Sequence, residues 1–405
     1  LWMDRLESEH DNLRGALSWL FVQDPISGLR LGAAIGHFWH VRAHHSEGRA
    51  WLAKFLETTD SDRCSIVVRA KALNTLSMLT WFQGEYHAAL ALQEEGLTLW
   101  QEAGEQGDGL AMGNRNLAMA QWFTGDLPAA QVTIAESVKL FKKTGNEAWA
   151  DDALFFQGFF ARTIGDLDFA QTKAYENLRL ARKVGDIMGL AGGYSLLGHI
   201  AYDQSNFDSA RVNYEKSLAY FCEVGDLFGM SFLLSSLSDV YHVKGDYDSE
   251  ENNWQEYLEI ARKIGNKLQI AYALSRLGLV SMLLNENEQA RKCFAQCLDI
   301  CSELEERRHE ATAECLSGMV LWLLNKEKPA QAAQLLGFVQ QFLTGEGDLE
   351  DIFLSVHDRV LAEVKRQLEE EIFISSTAAG KALTVEQAID YAAAIIQASA
   401  LFLVD

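Results

Sequence analysis

The segment TGDLPAAQ, residues 124–131, decides the fold, because its turn pattern recurs along the chain at a nearly constant spacing. It returns as IGDLDFAQ at 164–171, QSNFDSAR at 204–211 and KGDYDSEE at 244–251, with weaker copies before and after. The turn positions, 41 and then 40 residues apart, are Gly84, Gly125, Gly165, Ser205, Gly245, Asn285 and Asn325. A second set lies midway, at Gly104, Gly145, Gly185, Gly225 and Gly265. Breaks about every twenty residues, with apolar helical spacing between them, predict stacked helix–turn–helix units.

The residues at these breaks explain why helices stop and start there. Glycine tolerates the left-handed backbone that ends a helix, and asparagine is the second-best residue for it. A following aspartate or asparagine caps the next helix. Pairs such as Gly125-Asp126 and Gly265-Asn266 provide both functions. Only three prolines occur in 405 residues, which favours an almost wholly helical chain.

Small residues flank each turn and predict how the helices pack. Seven residues before the turn come Ser77, Ala118, Gly158, Gly198, Ser238, Gly278 and Gly318. Five residues after it come Ala89, Ala130, Ala170, Ala210, Glu250 (the exception), Ala290 and Ala330. Such residues let two antiparallel helices approach closely, as in tetratricopeptide repeats, which this array resembles. It departs from that family in its period of about 40 residues instead of about 34 and in lacking the usual early Trp and late Pro. We interpret these differences as longer helices.

The predicted fold is therefore all-α, a right-handed superhelical solenoid of antiparallel helix pairs. HEAT repeats have a similar period but not this pattern of small residues, so they are the alternative. We predict three regions: residues 1–64 form a capping helix and an atypical first helix pair, 65–344 form seven repeats, and 345–405 form a helical cap.

The terminal regions carry more detailed predictions. At the start, Trp2–Val22 is one amphipathic helix whose polar side faces an upstream domain, and Ser27–Val41 pairs with Glu47–Glu57 across a turn at His44. Near the end, Glu305 replaces glycine at a midpoint turn and Leu349–Glu370 is a charged helix. Ile372–Ser375 is extended, and Thr384 forms a capping box with Gln387 for the last helix.

Composition limits the function classes. The formal net charge is −22, and no basic cluster occurs, so we expect no contact between this segment and nucleic acid. Six cysteines without paired spacing indicate a reducing, cytoplasmic setting. The most apolar stretch, near Ala388–Val404, is interrupted by Asp390 and Gln397 and is short for a membrane span, so no membrane contact is expected.

Two strings near the start carry a second resemblance. LESEHDNLRGALSWL at 6–20 and FWHVRAHHSEGRAWL at 38–52 resemble the beginning of the repeat domain in signal-transduction ATPases of the STAND class, which include LuxR-type and AfsR-like bacterial regulators. AAQLLG at 332–337 with GKALTVEQAIDYA at 380–392 resembles the C-terminal cap of the same family. The matching N-terminal residues are Leu6, Glu9, His10, Asp11, Asn12, Leu13, Arg14 and Leu17, then Trp39, Arg42, Ser46, Glu47, Gly48, Arg49 and Trp51.

In that family an NB-ARC-type nucleotide switch and a winged helix precede the repeats, which act as a sensor arm. The resemblance implies that this chain is a fragment and that its upstream nucleotide-switch domain is a partner. It also implies that ATP or ADP binds only in that missing domain, so we expect no cofactor in the segment itself.

Motifs for catalysis are absent from the sequence. It contains no GxxxxGK[ST], GxSxG, HExxH or CxxC motif, and we predict no enzyme. Cys293, Cys297 and Cys301 share one helix, with Cys315 on the next, but residues eight apart on a helix are separated by roughly 12 Å. We interpret these cysteines as core residues.

Four histidines lie close together: His37, His40, His44 and His45. The first three follow i, i+3, i+7 spacing, and imidazoles so placed could hold zinc or nickel. Since no acidic or thiol partner lies at a fixed spacing nearby, we interpret them as aromatic packing and predict no metal site. A metal-dependent enzyme built on them is the third hypothesis.

The first helix of each pair carries the predicted binding surface, because these helices line the concave side of tetratricopeptide arrays. Large amphipathic side chains and arginine are typical of binding surfaces. Arg115 and Arg162 could meet a carboxylate or phosphate, and His199 and His242 could be coupled to Asp239. The predicted groove residues are Asn74, Trp81, Arg115, Asn116, Trp122, Phe159, Arg162, His199, Tyr202, Asp239 and His242.

The leading hypothesis is a non-catalytic sensor and interaction domain of a STAND-type bacterial regulator. Its groove would bind a protein, a peptide or a small-molecule inducer and bias the upstream nucleotide switch. The second hypothesis is a stand-alone repeat-type peptide receptor.

Overall fold

The regular structure of the chain is helical throughout its described part, which covers residues 2–59, 63–83, 85–304, 308–343 and 360–401 of the computed structural model. Before the repeats come α1 (Trp2–Ser8), α2 (His10–Gln23), α3 (Pro25–Ala34), α4 (Gly36–Val41) and α5 (His45–Thr58). The repeats consist of α6 (Ile66–Trp81), α7 (Tyr86–Glu102), α8 (Asp108–Phe123), α9 (Leu127–Thr144), α10 (Glu147–Thr163), α11 (Leu167–Val184), α12 (Ile187–Asp203), α13 (Phe207–Val224), α14 (Leu227–Lys244), α15 (Tyr247–Ile264), α16 (Lys267–Leu283), α17 (Asn287–Glu303), α18 (Arg308–Asn325) and α19 (Pro329–Leu343). Residues 360–367 are helical, and α20 (Glu370–Lys381) and α21 (Val385–Leu401) follow.

The chain divides into two compact units, Leu1–Leu233 and Leu234–Asp405, with the boundary inside α14. Within the first unit the closest packing joins α6 to α7, α8 to α9, α10 to α11 and α12 to α13, and within the second it joins α16 to α17. The predicted solenoid of helix pairs is therefore confirmed. Among the described residues, no helix combines the length and apolar character needed to cross a bilayer.

The predicted turns are confirmed where the structure describes them. Gly125 and Gly165 have φ angles of 86° and 83°, and at the equivalent positions Ser205 and Asn285 take the same left-handed conformation at 58° and 65°. The aspartate caps also form, since Asp126 accepts a hydrogen bond from the amide of Ala129 (3.1 Å). Gly84, the first turn residue, and Glu305 lie outside the described residues.

At the seventh turn the left-handed residue comes two positions after Asn325. Asn325 is the last residue of α18, and Glu327 takes the left-handed conformation (φ 55°). Pro329 begins α19, where its fixed φ and missing N–H suit a first helical residue. Because α19 begins at Pro329, the left-handed turn residue is Glu327 and not Asn325.

The N-terminal region differs from the prediction at two breaks. Glu9 (φ −100°, ψ 9°) divides the single predicted helix into α1 and α2, and Ile35 divides the next into α3 and α4. The turn before α5 is made by Ala43 (φ 60°), the residue before His44.

The extended segment predicted at Ile372–Ser375 is wrong, since these residues lie inside α20. Tertiary packing overrides their β propensity. A Cβ built on Gly337 would overlap the carbonyl of Thr377, and one on Gly380 would overlap that of Gln334, so α19 and α20 meet backbone to backbone. The capping box is confirmed by hydrogen bonds between Thr384 and Gln387 in both directions (3.0 and 3.3 Å). Most of the predicted charged helix, residues 349–359, lies outside the described residues.

Small residues at the predicted positions let each pair of helices pack closely. A Cβ built on Gly198 would overlap the ring of Tyr214, and Cβ atoms on Gly278 and Gly318 would overlap the ring of Phe294. Both aromatic rings are at most 1% exposed. Gly198 and Gly278 therefore make room for an aromatic ring from the second helix of their pair, and Gly318 makes room for the ring of Phe294 from the preceding pair.

A hydrogen bond between paired helices recurs with the repeat. Ser137 donates to the carbonyl of Ala111 (2.8 Å), Asn177 to that of Asp151 (2.7 Å) and Ser217 to that of Ala191 (2.7 Å). In the second unit Cys297 occupies the same position and its Sγ lies 3.1 Å from the carbonyl oxygen of Ala271. In each of these four pairs a buried side chain thus contacts a carbonyl 26 residues earlier.

Asp151 is a buried carboxyl group within this packing. It is 0% exposed, and neither carboxylate oxygen has a hydrogen-bond partner among the described residues. Burial raises its pKa to about 8, and the charges of Asp186 and Asp152 add to the effect. The group is therefore largely protonated at neutral pH.

We expect Gly198→Ala to lower the free energy of unfolding by about 1–3 kcal/mol, because the added methyl group overlaps the buried ring of Tyr214. Gly15→Ala is the matched control, since nothing lies within 4 Å of a Cβ there, and it should stabilise α2 by about 0.5–1 kcal/mol. Urea denaturation of both variants measures the difference. Equal effects would contradict the packing described for Gly198.

We expect Asp151→Asn to remove a pH dependence of stability. Between about pH 4 and pH 8 the folded protein keeps a proton that the unfolded chain loses, so stability falls as pH rises, by up to about 1.4 kcal/mol per pH unit. The variant, compared with the parent protein, should therefore gain in melting temperature between pH 5 and pH 8. A difference in melting temperature that does not change with pH would contradict burial of this carboxyl group.

Candidate functional site

The first helices of successive pairs form the inner side of the N-terminal unit. In that unit α6 contacts α8, α8 contacts α10 and α10 contacts α12, whereas the described second helices make no comparable contacts with one another. The shorter separation of the first helices places them on the concave side. The side chains on this face form the candidate site.

Two arginines of this face are paired with aspartates of the next repeat. Arg115 on α8 makes two hydrogen bonds to Asp152 on α10 (2.8 and 3.2 Å), and its guanidinium lies 4.4 Å from the ring centroid of Phe156. Arg162 on α10 makes two hydrogen bonds to Asp203 at the end of α12 (2.6 and 2.9 Å). The Arg115 side chain is 10% exposed, whereas those of Arg162 and Asp203 are 22% and 27% exposed. The second pair is therefore the more accessible to a ligand.

Aromatic side chains form a continuous layer beside these pairs. Trp81 stacks on Phe82 (3.8 Å between ring centroids) and on Phe123 (5.2 Å). Trp122 makes an edge-on contact with Phe123 (4.6 Å) and with Phe159 (5.1 Å). Trp81 is buried, while Trp122 and Phe159 are half-buried. Of these three predicted groove residues, the structure therefore leaves Trp122 and Phe159 available for contact.

Asn74 and Asn116 do not line an open groove, contrary to the prediction. They are 5% and 2% exposed. Asn116 donates to the carbonyl of Asn74 (3.1 Å), and Gln93 donates to the Asn74 side chain (2.8 Å). The two amides join adjacent repeats, because their positions point sideways to the neighbouring helix.

Three polar atoms near the predicted residues are buried without a hydrogen-bond partner among the described residues: Gln121 Oε1, Trp122 Nε1 and Gln157 Oε1. Sequence reasoning missed the two glutamines, because glutamine is common on any helix and nothing in the repeat marks these positions. A buried amide oxygen without a partner favours binding of a donor such as a peptide N–H.

His199 and Tyr202 on α12 extend the face. The Tyr214 hydroxyl lies 2.7 Å from His199 Nδ1, and burial holds the pKa of His199 well below its ordinary value. The ring is therefore neutral at pH 7. Tyr202 is half-buried, with its ring edge-on to Phe207 at 5.4 Å.

The remaining predicted residues, Asp239 and His242, belong to the second unit. His242 Nδ1 lies 3.0 Å from Glu250 Oε2, and the Glu250 side chain is 6% exposed. Glu250 is the exception at the small-residue position, so this pair explains how a buried carboxylate is accommodated there. The predicted coupling of His199 and His242 to Asp239 stays a prediction.

The histidine cluster is divided by the break after α4. His40 and His45 both stack on Phe82, with ring centroids 3.9 and 5.0 Å from it. Burial lowers the pKa of His45 to about 4 and holds that of His40 well below its ordinary value. Aromatic packing is confirmed for these two rings.

His37 and His44 have different surroundings. Desolvation lowers the pKa of His37, and Asp152, Arg115 and Asp186 also act on it electrostatically, which places it near the concave face. The ring of His44 lies 4.2 Å from that of His10 on α2, between centroids.

Residues far apart in sequence close this face within the N-terminal unit. Phe82, after α6, makes an edge-on contact with Phe228 on α14 (5.1 Å between centroids). Arg42 donates to the carbonyl of Gly225 (3.4 Å) and also to Asp4 on α1 (2.5 Å). We call these contacts the closure; they connect the start of the unit with a turn 183 residues later.

The four cysteines of α17 and α18 are buried, as predicted. Burial raises the pKa of Cys293 to about 11 and also raises that of Cys315. Both are therefore protonated thiols at neutral pH and not thiolate ligands.

Comparisons with known proteins agree with this fold. Residues 68–143 and 269–337 match the family profile of the tetratricopeptide repeat. No curated protein sequence matches the chain.

Three solved structures illustrate the similarity in fold. The Cut9–Hcn1 heterotetramer of the APC/C has a TM-score of 0.55 at 18% identity, over 87% of this chain and 60% of that chain. A STAND protein with a tetratricopeptide repeat sensor, from Pyrococcus horikoshii, has a TM-score of 0.53 at 13% identity, over 86% and 55%. A Rap protein complexed with competence and sporulation factor has a TM-score of 0.52 at 11% identity, over 85% and 100%.

At these identities the similarity concerns the fold alone. The chain has a tetratricopeptide-like solenoid fold, and two of its segments carry the repeat of that family.

Proposed function

We propose that the protein is a non-catalytic binding domain that takes an extended peptide, or an extended segment of a protein, on the concave face of its N-terminal unit. The observation that carries the proposal is the accessible Arg162–Asp203 pair beside Trp122 and Phe159 on one face. Aromatic side chains and arginine dominate the free energy of peptide and protein binding.

The paired charges suit a ligand that carries both an acceptor and a donor. A ligand carboxylate that replaces Asp203 would receive the same two parallel hydrogen bonds from Arg162. The oxygens of Gln121 and Gln157 would accept from peptide N–H groups. The net charge of −22 favours association with a partner of net positive charge.

We further propose that the domain serves as the sensor of a STAND-type bacterial regulator in the cytoplasm. The N-terminal strings that resemble that family support this, and a STAND protein is among the structures with a similar fold. ATP or ADP would bind in an upstream domain. Ligand binding shifts such a switch only through different affinities for its two states.

The closure offers a physical route for that shift. Arg42 contacts both Asp4 on α1 and the Gly225 carbonyl. A ligand that changes the curvature of the concave face would change the separation of these two ends, and hence the position of α1.

A second candidate is a stand-alone peptide receptor. It is favoured by the similarity over the whole length of a Rap protein whose structure contains competence and sporulation factor. Both candidates use the same face. A small-molecule inducer is a third kind of ligand that the same groups would accept.

We expect Arg162→Ala and Tyr202→Ala each to weaken binding of a selected peptide by at least about tenfold, since truncation of a central contact typically costs more than 1 kcal/mol. The peptide comes from a random library selected on the purified protein, and calorimetry measures its Kd. Arg211→Ala on α13, which removes an arginine paired with Glu215 on its own helix, is the matched control.

The helical circular dichroism of these variants should be unchanged. Selected peptides whose affinity responds to Arg211→Ala but not to Arg162→Ala would contradict the proposed face.

We expect Phe82→Ala and Phe228→Ala to be coupled in stability by about 0.5–1.5 kcal/mol, as edge-on aromatic pairs are. A double-mutant cycle from denaturation curves measures this coupling. The pair Trp149→Ala and Phe228→Ala is the control, because Trp149 is 37% exposed and packs near Phe141. A coupling near zero for Phe82 and Phe228 would show that the closure does not form in solution.

A further inference from the structure

Three side chains with metal-binding atoms meet where the N-terminal helices contact the turn before α5. They are Glu7 on α1, His10 on α2 and His44, and their ligand atoms all lie within 4.8 Å of one another. Among the described residues, no other group of three or more histidine, cysteine, aspartate or glutamate side chains comes together in this way. Glu7 and His10 are three residues apart, and the fold brings His44, 34 residues after His10, to them.

His10 is a buried imidazole with an unsatisfied ring nitrogen. It is 7% exposed, and its Nε2 has no hydrogen bond among the described residues.

Two distances between neighbouring polar atoms in this cluster are close to those between ligands of one ion. His44 Nε2 lies 3.3 Å from Glu7 Oε1, and His10 Nε2 lies 3.2 Å from Glu47 Oε2. Two ligands of a tetrahedral zinc ion, each at about 2.0–2.1 Å from the metal, are about 3.3 Å apart. The contact between His10 and Glu47 does not have the geometry of a hydrogen bond, so His10 Nε2 remains unsatisfied among the described residues.

The surroundings hold these side chains in place. Phe38, which is 1% exposed, packs against the rings of both His10 (5.3 Å) and His44 (5.6 Å). Arg14 makes two hydrogen bonds to Glu47 (2.9 and 2.7 Å) and so orients its carboxylate. The Phe38 ring excludes water on one side, and Arg14 fixes the orientation of the Glu47 carboxylate.

We propose that Glu7, His10 and His44 bind a divalent first-row transition metal ion, for which zinc is the test ion, with Glu47 beside them as a further oxygen donor. Two imidazoles and a carboxylate are a ligand set that such ions prefer. The bound ion fastens α1 and α2 to the turn that also carries Arg42. The role is structural and does not depend on the proposed peptide-binding function.

The experiment titrates the metal-free protein with zinc chloride and, separately, with cobalt chloride. Calorimetry should show one zinc ion bound per chain, and cobalt should give visible absorption bands of a site with nitrogen and oxygen ligands. His44→Ala should abolish both signals. Glu7→Gln should weaken zinc binding by at least about tenfold.

Controls separate this site from general binding to surface histidines. His87→Ala removes one exposed histidine outside the cluster and should leave the affinity unchanged. If His44→Ala does not fold, Glu7→Gln still tests the site, because the Glu7 side chain is 45% exposed. No saturable zinc binding by the parent protein, or equal loss in His87→Ala and Glu7→Gln, would overturn the proposal. The cluster would then be a hydrogen-bonded contact only.

Discussion

The close approach of the two helices within each pair is the constraint on which the rest of the structure depends. A glycine at the crossing gives room to an aromatic ring from the partner helix, as Gly198 does for Tyr214 and Gly278 does for Phe294. A solenoid has no central core, so each interface between neighbours must supply the buried apolar area.

Hydrogen bonding keeps these interfaces in register. In four repeats a buried side chain on the second helix contacts the equivalent carbonyl of the first helix, and these side chains are Ser137, Asn177, Ser217 and Cys297. A buried polar group without a partner costs free energy, so a shift of one helix along the other is opposed. Glu250 follows the same rule that a buried polar group needs a partner. Its carboxylate lies at a position where other repeats have a small residue, and His242 contacts it.

Since packing between helices fixes the small and apolar positions, the inner face is free to carry other chemistry. There the arginine–aspartate pairs join neighbouring repeats, and the aromatic layer continues from α6 to α10. The closure then places α4 and its histidines opposite α14 in the same unit. The candidate site thus combines residues that repeat with residues from a helix that lies outside the repeat.

The sequence by itself determined the helical class, the period and most of the turns. These features depend on local chemistry: a left-handed residue ends a helix, a following aspartate caps the next, and small residues recur where helices cross. The deviations occurred where one residue changes that chemistry, as Pro329 does at the seventh turn, or where packing overrides local preference, as in α20. The assignment of Arg162, Trp122 and Phe159 to a binding groove stays a prediction.

Only the tertiary structure decided which of those residues are accessible and which partners they have. Asn74 and Asn116 lie on the first helices of their pairs but are 5% and 2% exposed, because Asn116 donates to the carbonyl of Asn74 across adjacent repeats. The meeting of Glu7 and His10 with His44, and that of Phe82 with Phe228, join residues about 35 and 146 positions apart. The repeat period predicts each helix and its nearest neighbours. Contacts between residues so far apart in sequence depend instead on how successive helix pairs are arranged along the chain.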